Sequence, residues 1–239
     1  MTDKTDAALT NRYAIFDMDG TLIDSNPWLS KVSGRYLARR GLPPNEKYEN
    51  LAAGMVFEDF CLAIRDYAGD QSPLEATIDE INGYTSEVYT KCDIPAKPYV
   101  REYLELLRKN GVRMCVGSAT ERDRIESVLR RLSLRDFFEF VVTTVDVGCG
   151  KNKPDLFIEA AKRFGVNDYS GVTVYDDHLP AMKAAKSACF RVVGVYDKVG
   201  EQQVEVAKEV CDIFSYDFEA LTKRIVSREQ GADSKRQEG

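Results

Sequence analysis

Short apolar runs that end in polar residues alternate along this chain with segments in which apolar residues recur at helical spacing. The first run, residues 13–16, leads directly into Asp17 and Asp19, and Gly20 and Thr21 follow. Such a run predicts a short buried strand of a parallel sheet, and loops that carry binding residues lie at the polar ends of such strands. A solvated acidic turn after a buried strand is the alternative.

The spacing of the two aspartates matters because residues i and i+2 of a strand share a face. We therefore expect the carboxylates of Asp17 and Asp19 to point the same way if the extended geometry continues. Carboxylates about 4 Å apart repel by roughly 4 kcal/mol at an intermediate dielectric. The pair therefore needs a cation or a proton.

The segment 26–96 has helical rather than strand-like spacing. Apolar residues recur at helical spacing from Trp28 to Leu37, and further helices are predicted at about 57–67 and 74–89. A block of helices between the first strand and the rest of an α/β domain indicates an inserted helical domain.

From Pro98 onward helices and strands alternate, which is typical of βαβ units and a parallel sheet. The predicted elements are helix 100–109, strand 112–116, helix 121–132, strand 138–143, strand 171–175, helix 179–188 and strand 190–195. The ends of the chain, 1–12 and 227–239, are polar, and we predict flexible tails there.

Two positions after the first strand are suited to binding an anion. Ser118 lies between a strand and a helix start, where its hydroxyl and the following N–H groups can donate to phosphate oxygens. Capping of the helix by Ser118 or Thr120 is the alternative. Lys151 and Lys153 lie just before a helix start at Pro154, where cations are unfavourable unless an anion lies there too. For an isolated lysine, exposure in a loop is the alternative.

Asp176 and Asp177 follow the strand predicted at 171–175. Adjacent carboxylates at a strand end suit a hard cation such as Mg²⁺, which binds one or two protein carboxylates together with waters and phosphate. Because neighbours on an extended chain point opposite ways, we expect only one of the two to bind the ion directly. His178 is placed at the edge of the site without an assigned role.

Composition narrows the class of protein. The 239 residues, 44% of them apolar, suffice for one core domain and an insertion, and the net charge of -6 argues against a nucleic-acid partner. The six cysteines form no Cys-x-x-Cys pair and there is one histidine, which argues against a disulfide framework and a multi-histidine metal site. Residues 1–12 do not resemble a signal peptide, and no apolar run spans a bilayer. We expect a soluble cytoplasmic protein.

The ordered motifs resemble those of haloacid dehalogenase-superfamily phosphatases with a small helical cap, a subgroup that includes β-phosphoglucomutase-like and phosphoglycolate phosphatase-like proteins. Four motifs match in the family's order: Asp17-Met18-Asp19-Gly20-Thr21, Ser118, Gly150-Lys151-Asn152-Lys153-Pro154-Asp155 and Asp176-Asp177. The alignment selects Lys151 rather than Lys153 as the functional lysine.

This resemblance covers about residues 13–218 and implies a fold. The fold is α/β, with a Rossmann-like core and a mainly parallel sheet formed by 13–25 and 97–226. A small helical cap, 26–96, is inserted between the first two motifs and covers the active site.

The resemblance also implies phosphoryl transfer through an aspartyl-phosphate. Asp17 would attack phosphorus, and Asp19 would protonate the leaving oxygen and then act as a base on water. Mg²⁺ would be bound by Asp17, the backbone carbonyl of Asp19 and Asp177, with Asp176 acting through water. The phosphate-binding residues would be Ser118, Ala119 and Lys151.

We therefore predict a Mg²⁺-dependent phosphatase, a monomer that acts on a small phosphorylated metabolite such as a sugar phosphate and binds neither nucleic acid nor membrane. Asp19 argues against dehalogenases and phosphonatases, which lack an acid there. A β-phosphoglucomutase-like mutase is the alternative enzyme. Leu29 and Phe57 stand where that family has a histidine and a cap arginine, which favours hydrolysis.

The alternative of another class is a non-catalytic binding or regulatory protein that retains the fold. Every acidic, hydroxyl and lysine role is filled, which argues against it. The sequence names no substrate. The candidate substrate contacts in the cap are residues 26–28 and the loop 54–59, where Trp28 and Phe57 would suit a sugar face or an apolar group.

Overall fold

The structure, a computed structural model, describes residues 8–51 and 57–237 and is built around a parallel sheet. Its strands are β1 Tyr13–Phe16, β2 Arg113–Ser118, β3 Val141–Thr143, β4 Val172–Asp176, β5 Arg191–Val195 and β6 Ile213–Ser215. They lie in the order β3-β2-β1-β4-β5-β6, and each neighbouring pair is parallel. Strand β1 is therefore flanked by β2 and β4, and the carboxyl ends of these three strands meet at one edge.

Helices connect the strands and cover the sheet. They are α1 Asn26–Ala38, α2 Glu46–Leu51, α3 Phe57–Tyr67, α4 Leu74–Lys91, α5 Val100–Lys109, α6 Arg122–Arg131, α7 Thr144–Val147, α8 Asp155–Phe164, α9 Leu179–Ser187, α10 Val204–Val210 and α11 Phe218–Gln237. Single 3₁₀ segments occur at Arg135–Phe137, Tyr169–Gly171 and Lys198–Gln203.

Both faces of the sheet are buried, which explains why the strand sequences are apolar rather than alternating. Successive side chains of a strand point to opposite faces. In β1, Ala14 and Phe16 join the core cluster that includes α5, α6 and α11, whereas Ile15 joins the cluster that includes α8 and α9.

The helices α1 to α4 form a separate layer, in which α4 packs against both α1 and α3. The chain enters and leaves this layer through two adjacent segments. Asp24 N–H donates to the Pro95 carbonyl at 3.0 Å, and Lys97 N–H donates to the Leu22 carbonyl at 2.9 Å. These bonds bring the two ends of the segment 26–96 together; its boundaries stay a prediction.

The predicted α/β class with a mainly parallel sheet and an inserted helical cap is confirmed. Helix α3 has the predicted bounds, and α4 runs two residues beyond them. The strand predicted at 138–143 begins only at Val141, and residues 138–140, which follow a 3₁₀ turn at Arg135–Phe137, are irregular. Strand β2 extends through Ser118, two residues further than predicted, because it pairs with β3 there.

The chain ends are more ordered in the described residues than their polar composition indicates. Ala8 and Leu9 are buried, and Thr173 Oγ1 donates to the Ala8 carbonyl at 2.6 Å. Helix α11 continues to Gln237, within the predicted tail at 227–239. The start of that helix is fixed by burial of Phe218, Leu221 and Ile225, which the polar sequence after them does not reveal.

Among the helices in the described ranges, none combines the length and apolar character needed to cross a bilayer.

Candidate active site

The predicted motif residues converge at the carboxyl ends of β1, β2 and β4. Asp17 follows β1, Ser118 ends β2, and Asp176 ends β4 with Asp177 next to it. Lys151 reaches them from the loop between α7 and α8. The parallel register brings these side chains together although they are far apart in sequence.

Lys151 lies at the centre of a buried charge cluster. Its Nζ is 2.9 Å from Asp17 Oδ1 and 2.5 Å from Asp176 Oδ2, and the residue is 2% exposed. Burial alone would lower the pKa of Lys151, but Asp17 and Asp176 raise it above its usual value. Lys151 is therefore a buried cation, whereas Lys153 is exposed, and the choice of Lys151 as the functional lysine stays a prediction.

The cluster contains more negative than positive charge. Asp17, Asp176 and Asp177 can each place a carboxylate oxygen within 4.8 Å of the others, while Lys151 supplies one positive charge. Burial raises the pKa of Asp17 to about 6, with Lys151 opposing the shift and Asp176 adding to it. Burial, then Asp17 and Asp176, raise the pKa of Asp177 well above its usual value. Carboxylates held this way need a cation.

The donor set at this point suits magnesium. It consists of hard carboxylate oxygens at strand ends, of which those of Asp17 and Asp177 face a cavity that has room for waters and phosphate oxygens. The residues present therefore fit the ion that the sequence analysis predicts. The roles of the Asp19 backbone carbonyl as a ligand and of Asp176 as a residue acting through water stay predictions.

Asp177 is held in place by the loop after β1. Its Oδ1 accepts from Thr21 Oγ1 at 3.0 Å and its Oδ2 from Asn26 Nδ2 at 3.1 Å. Gly20 has a φ of +75°, and a Cβ there would lie 2.2 Å from Asp177 Oδ2. The first and last motifs thus touch, and glycine is required both by the turn and by this close approach.

Asp176 is completely buried and supports the cluster from behind. One oxygen pairs with Lys151, and Oδ1 accepts from the backbone N–H of His178 at 2.9 Å. His178 lies at the edge of the cavity, where burial and then Lys151 lower its pKa to about 4. The imidazole is therefore neutral near pH 7.

The carboxylate of Asp19 lies outside the acidic cluster. Strand β1 ends at Phe16 and the chain turns at Gly20, so the extended geometry under which Asp17 and Asp19 would point the same way does not continue. Asp19 instead accepts from three hydroxyls, those of Ser25, Tyr89 and Thr120. Burial, then Asp17, raise its pKa, and these hydrogen bonds oppose the shift.

Ser118 is buried at the end of β2, and its Oγ accepts from Thr120 N–H at 3.2 Å. Helix α6 starts after Glu121, so neither Ser118 nor Thr120 is its N-cap, and the capping alternative is wrong. Both residues line the same cavity as Ala119 and Lys151. The Thr120 hydroxyl and N–H are engaged by Asp19 and Ser118, whereas the Ser118 hydroxyl can still donate its own proton at the site.

A cavity of about 680 Å³ lies between these strand ends and the helical layer. Every predicted site residue except the buried Asp176 lines it. The residues contributed by the helical layer include Leu29, Phe57, Phe60, Ile78, Ile81 and Tyr89.

Of the predicted substrate contacts, Asn26, Phe57 and Glu58 line this cavity, whereas Trp28 is not among the lining residues and packs against the core. Residues 54–56 of the predicted loop lie outside the described residues. Sequence analysis missed Ser25 and Tyr89, the hydroxyl residues that contact Asp19 from outside the motifs. A tyrosine at helical spacing is usually a core residue, so no pattern singled it out.

Comparison with known proteins places the chain among hydrolases. A family model described as haloacid dehalogenase-like hydrolase matches residues 12–188. The chain is 26% identical over 188 residues to a phosphorylated carbohydrates phosphatase of Thermotoga maritima, covering 78% of this chain and 86% of that protein. It is 29% identical over 189 residues to hexitol phosphatase B of Escherichia coli, covering 76% and 82%.

The fold is shared with solved structures. The crystal structure of a hydrolase from Pseudomonas syringae matches with a TM-score of 0.75 at 24% identity, covering 90% of this chain and 98% of that one.

Proposed function

The chain belongs to the haloacid dehalogenase-like hydrolases, and we propose that it uses this site to hydrolyse a phosphate monoester of a small carbohydrate through an aspartyl-phosphate. The observation that carries the proposal is the buried cluster of Asp17, Asp176 and Asp177 around Lys151, open to the cavity under the cap. A nucleophile, a cation and phosphate-binding donors lie together at one sheet edge.

Asp17 is the proposed nucleophile. A carboxylate oxygen of Asp17 bonds to phosphorus as the ester P–O bond breaks, and the leaving oxygen takes a proton from Asp19. In the second step Asp19 removes a proton from water, whose oxygen bonds to phosphorus, and the Asp17–phosphorus bond breaks to release phosphate. After the two steps Asp19 has regained its proton and Asp17 is again a free carboxylate.

Lys151 and Ser118 are proposed to bind the phosphoryl oxygens, together with the N–H of Ala119. Since phosphoryl transfer is catalysed mainly by positioning and charge stabilisation, a buried ammonium fixed between two carboxylates is well suited to this role. Asp17, Asp177 and the Asp19 carbonyl would hold Mg²⁺. When bound, the ion neutralises charge on the phosphoryl group and orients it.

The substrate class is proposed from two sources. The two curated relatives described above are named for phosphatase activity on phosphorylated carbohydrates and hexitol phosphate. The cavity also exceeds what a phosphoryl group fills and falls in the usual range for sites of small molecules, with Asn82 and Ser30 among the polar lining residues. A monomeric state and a cytoplasmic location stay predictions.

Hydrolysis is favoured over transfer to a second sugar hydroxyl. Leu29 and Phe57 both line the cavity, and neither can accept a proton or bind an anionic group. A mutase of the β-phosphoglucomutase type would need such groups on this side of the site. A purely binding protein is disfavoured because all the proposed catalytic groups converge.

The test is phosphate release from a panel of hexitol, hexose and glycerol phosphates, nucleotides and p-nitrophenyl phosphate, in Mg²⁺ and in EDTA. We expect Mg²⁺-dependent release, fastest with a sugar or sugar-alcohol phosphate. Equal rates of phosphate release in Mg²⁺ and in EDTA would contradict the proposed metal dependence. No release from any ester, with sugar-phosphate isomerisation observed instead, would replace the hydrolase with the mutase.

A further inference from the structure

The carboxylate of Asp19 accepts hydrogen bonds from three hydroxyls, which come from three parts of the chain. Ser25 Oγ donates to Oδ1 at 2.6 Å from the connection before α1. Thr120 Oγ1 donates to Oδ2 at 2.7 Å from the loop after β2. Tyr89 OH donates to Oδ1 at 2.9 Å from α4, a helix of the cap. The cap therefore donates a hydrogen bond directly to a proposed catalytic group on the core.

The position of Tyr89 is not explained by packing alone. The residue is 8% exposed and lines the cavity beside Asp19 and Thr120. Its hydroxyl also lies 3.2 Å from Thr120 Oγ1. A buried tyrosine hydroxyl requires a partner, and the partners that Tyr89 has are both on the core side of the site. Burial, then Asp19, raise the pKa of Tyr89, so the hydroxyl keeps its proton and donates.

We propose that Tyr89 is a positioning residue for Asp19, which fixes the orientation of the carboxyl group so that it meets the leaving oxygen while α4 lies against the core. The proposal rests on the proposed function, in which Asp19 transfers the proton. Tyr89 lies outside the four motifs, and in this role it makes proton transfer by Asp19 depend on contact between cap and core.

The orientation of a carboxyl group affects one step in particular. A general acid must lie within hydrogen-bond reach of the atom that it protonates, and small displacements are costly for the rate. Loss of a positioning bond should therefore slow substrates that need the proton and spare those that do not. A sugar alkoxide is strongly basic and needs the proton, whereas p-nitrophenolate is weakly basic and leaves without it.

The test compares kcat/KM of wild type and Tyr89→Phe for a hexitol phosphate and for p-nitrophenyl phosphate. This quantity reports the steps up to formation of the aspartyl-phosphate, in which the leaving group departs. We expect Tyr89→Phe to lower kcat/KM by about tenfold or more for the sugar ester and by less than about threefold for the aryl ester. A general loss of structure would lower both alike.

Two further variants sharpen the test. Tyr84→Phe removes a hydroxyl from the same helix, where it bonds Glu80 and Arg39 instead of Asp19, and should give no difference between the two esters. Thr120→Val removes another of the three hydroxyl donors to Asp19 and should give the same selective loss as Tyr89→Phe. Because Thr120 lies outside α4, a selective loss in this variant cannot come from altered packing of that helix.

Equal losses for both esters in Tyr89→Phe, or no loss for either, would overturn the role of Tyr89 while leaving the phosphatase intact. The same selective loss in Tyr84→Phe would also overturn it. Absence of wild-type phosphate release from both esters would instead overturn the proposed function, and the role of Tyr89 with it.

Discussion

The two faces of the cavity differ in kind. The core face carries charge, with Asp17, Asp177 and Lys151 on or between strand ends. The described cap face combines apolar residues such as Leu29 and Ile78 with mostly uncharged polar ones such as Ser30 and Asn82. Tyr89 is a point at which the cap reaches the carboxylate of Asp19, and Asn26 reaches that of Asp177 in the same way.

The difference separates two tasks. Charged groups are held by the parallel sheet, whose register fixes the strand ends and resists displacement. The cap face is held by helix packing around a space that is larger than a phosphate. We infer that the core performs the chemistry on the phosphoryl group, which is common to all phosphate esters. The cap then selects among the alcohols to which it is attached.

Replacing Asp17 should have the largest effect, because no other group can form the aspartyl-phosphate. Asp17→Asn keeps the shape of the side chain but removes the nucleophile, and kcat should fall by about 10³-fold or more for every ester. The measurement is steady-state phosphate release. Asp79→Asn, an exposed position on α4, is the matched control and should retain full activity. Substantial activity in Asp17→Asn would remove the covalent mechanism.

Lys151→Met should impair both activity and stability. The substitution leaves buried Asp17 and Asp176 without their cation, and breaking a buried ion pair costs about 3–5 kcal/mol. We expect a lower melting temperature in EDTA, part of which Mg²⁺ restores, and a loss in kcat/KM of about 10²-fold. Lys153→Met, two positions along and exposed, should change neither. Equal effects of the two substitutions would contradict the assignment of Lys151.

The charge excess on the core face should make the metal-free protein less stable as pH rises. The pKa of Asp17 is raised from 3.8 to about 6, so between these values the folded state holds a proton that the unfolded state has lost. The free energy of unfolding therefore falls as the pH rises across this window, with a slope of about 1.4 kcal/mol per pH unit from this one group.

This pH dependence is measured by thermal unfolding in EDTA from pH 4 to 7. Other carboxylates titrate in the same window, so the informative quantity is the difference between wild type and Asp17→Asn. Between pH 4 and 7 we expect the melting temperature of wild type to fall by several degrees more than that of Asp17→Asn. Parallel curves for the two proteins would show that Asp17 is not strained in the absence of metal.

Gly20→Ala tests the contact between the first and last motifs. A Cβ at this position meets Asp177 Oδ2, so the carboxylate must move, and we expect the Mg²⁺ concentration for half-maximal activity to rise by about tenfold. Gly69→Ala is the control, because its φ is also positive, +62°, but its Cβ meets nothing within 4 Å. Both variants share the backbone strain, so a Mg²⁺ effect confined to Gly20→Ala isolates the clash. The same shift in Gly69→Ala would contradict this interpretation.

The core face was largely predictable from sequence because its acidic and hydroxyl residues follow apolar strands. Lys151 lies instead in the loop before α8 and was selected by the motif alignment. Carboxyl ends of neighbouring parallel strands must meet, so Asp17, Ser118 and Asp177 could be placed together before any contact was known. The orientation of Asp19 was not predictable, since it depends on where β1 ends and how the chain turns at Gly20.

The cap face was not predictable in the same way. The helices themselves were, and α3 has the predicted bounds because its apolar residues repeat at helical spacing. Which helical residue faces the site depends on how the cap lies on the core. Tyr89 meets Asp19 across 70 residues of sequence, and its spacing in α4 is that of an ordinary packing residue. Sequence periodicity gives the face of a helix that is buried but not what that face covers.

The smallest expected effect belongs to the apolar wall of the cap. Phe57 lines the cavity and is only partly buried, so Phe57→Ala should remove contact with the alcohol and raise KM about three- to tenfold while kcat changes little. The rise in KM should differ among sugar phosphates. The inhibition constant of inorganic phosphate, a competitive inhibitor that reaches only the core face, should change little. Leu62→Ala, an exposed position on the same helix, should leave every KM unchanged. A uniform fall in kcat for all esters would mean that Phe57 holds the cap in place rather than selecting the substrate. The division of tasks between the two faces would then fail at this position.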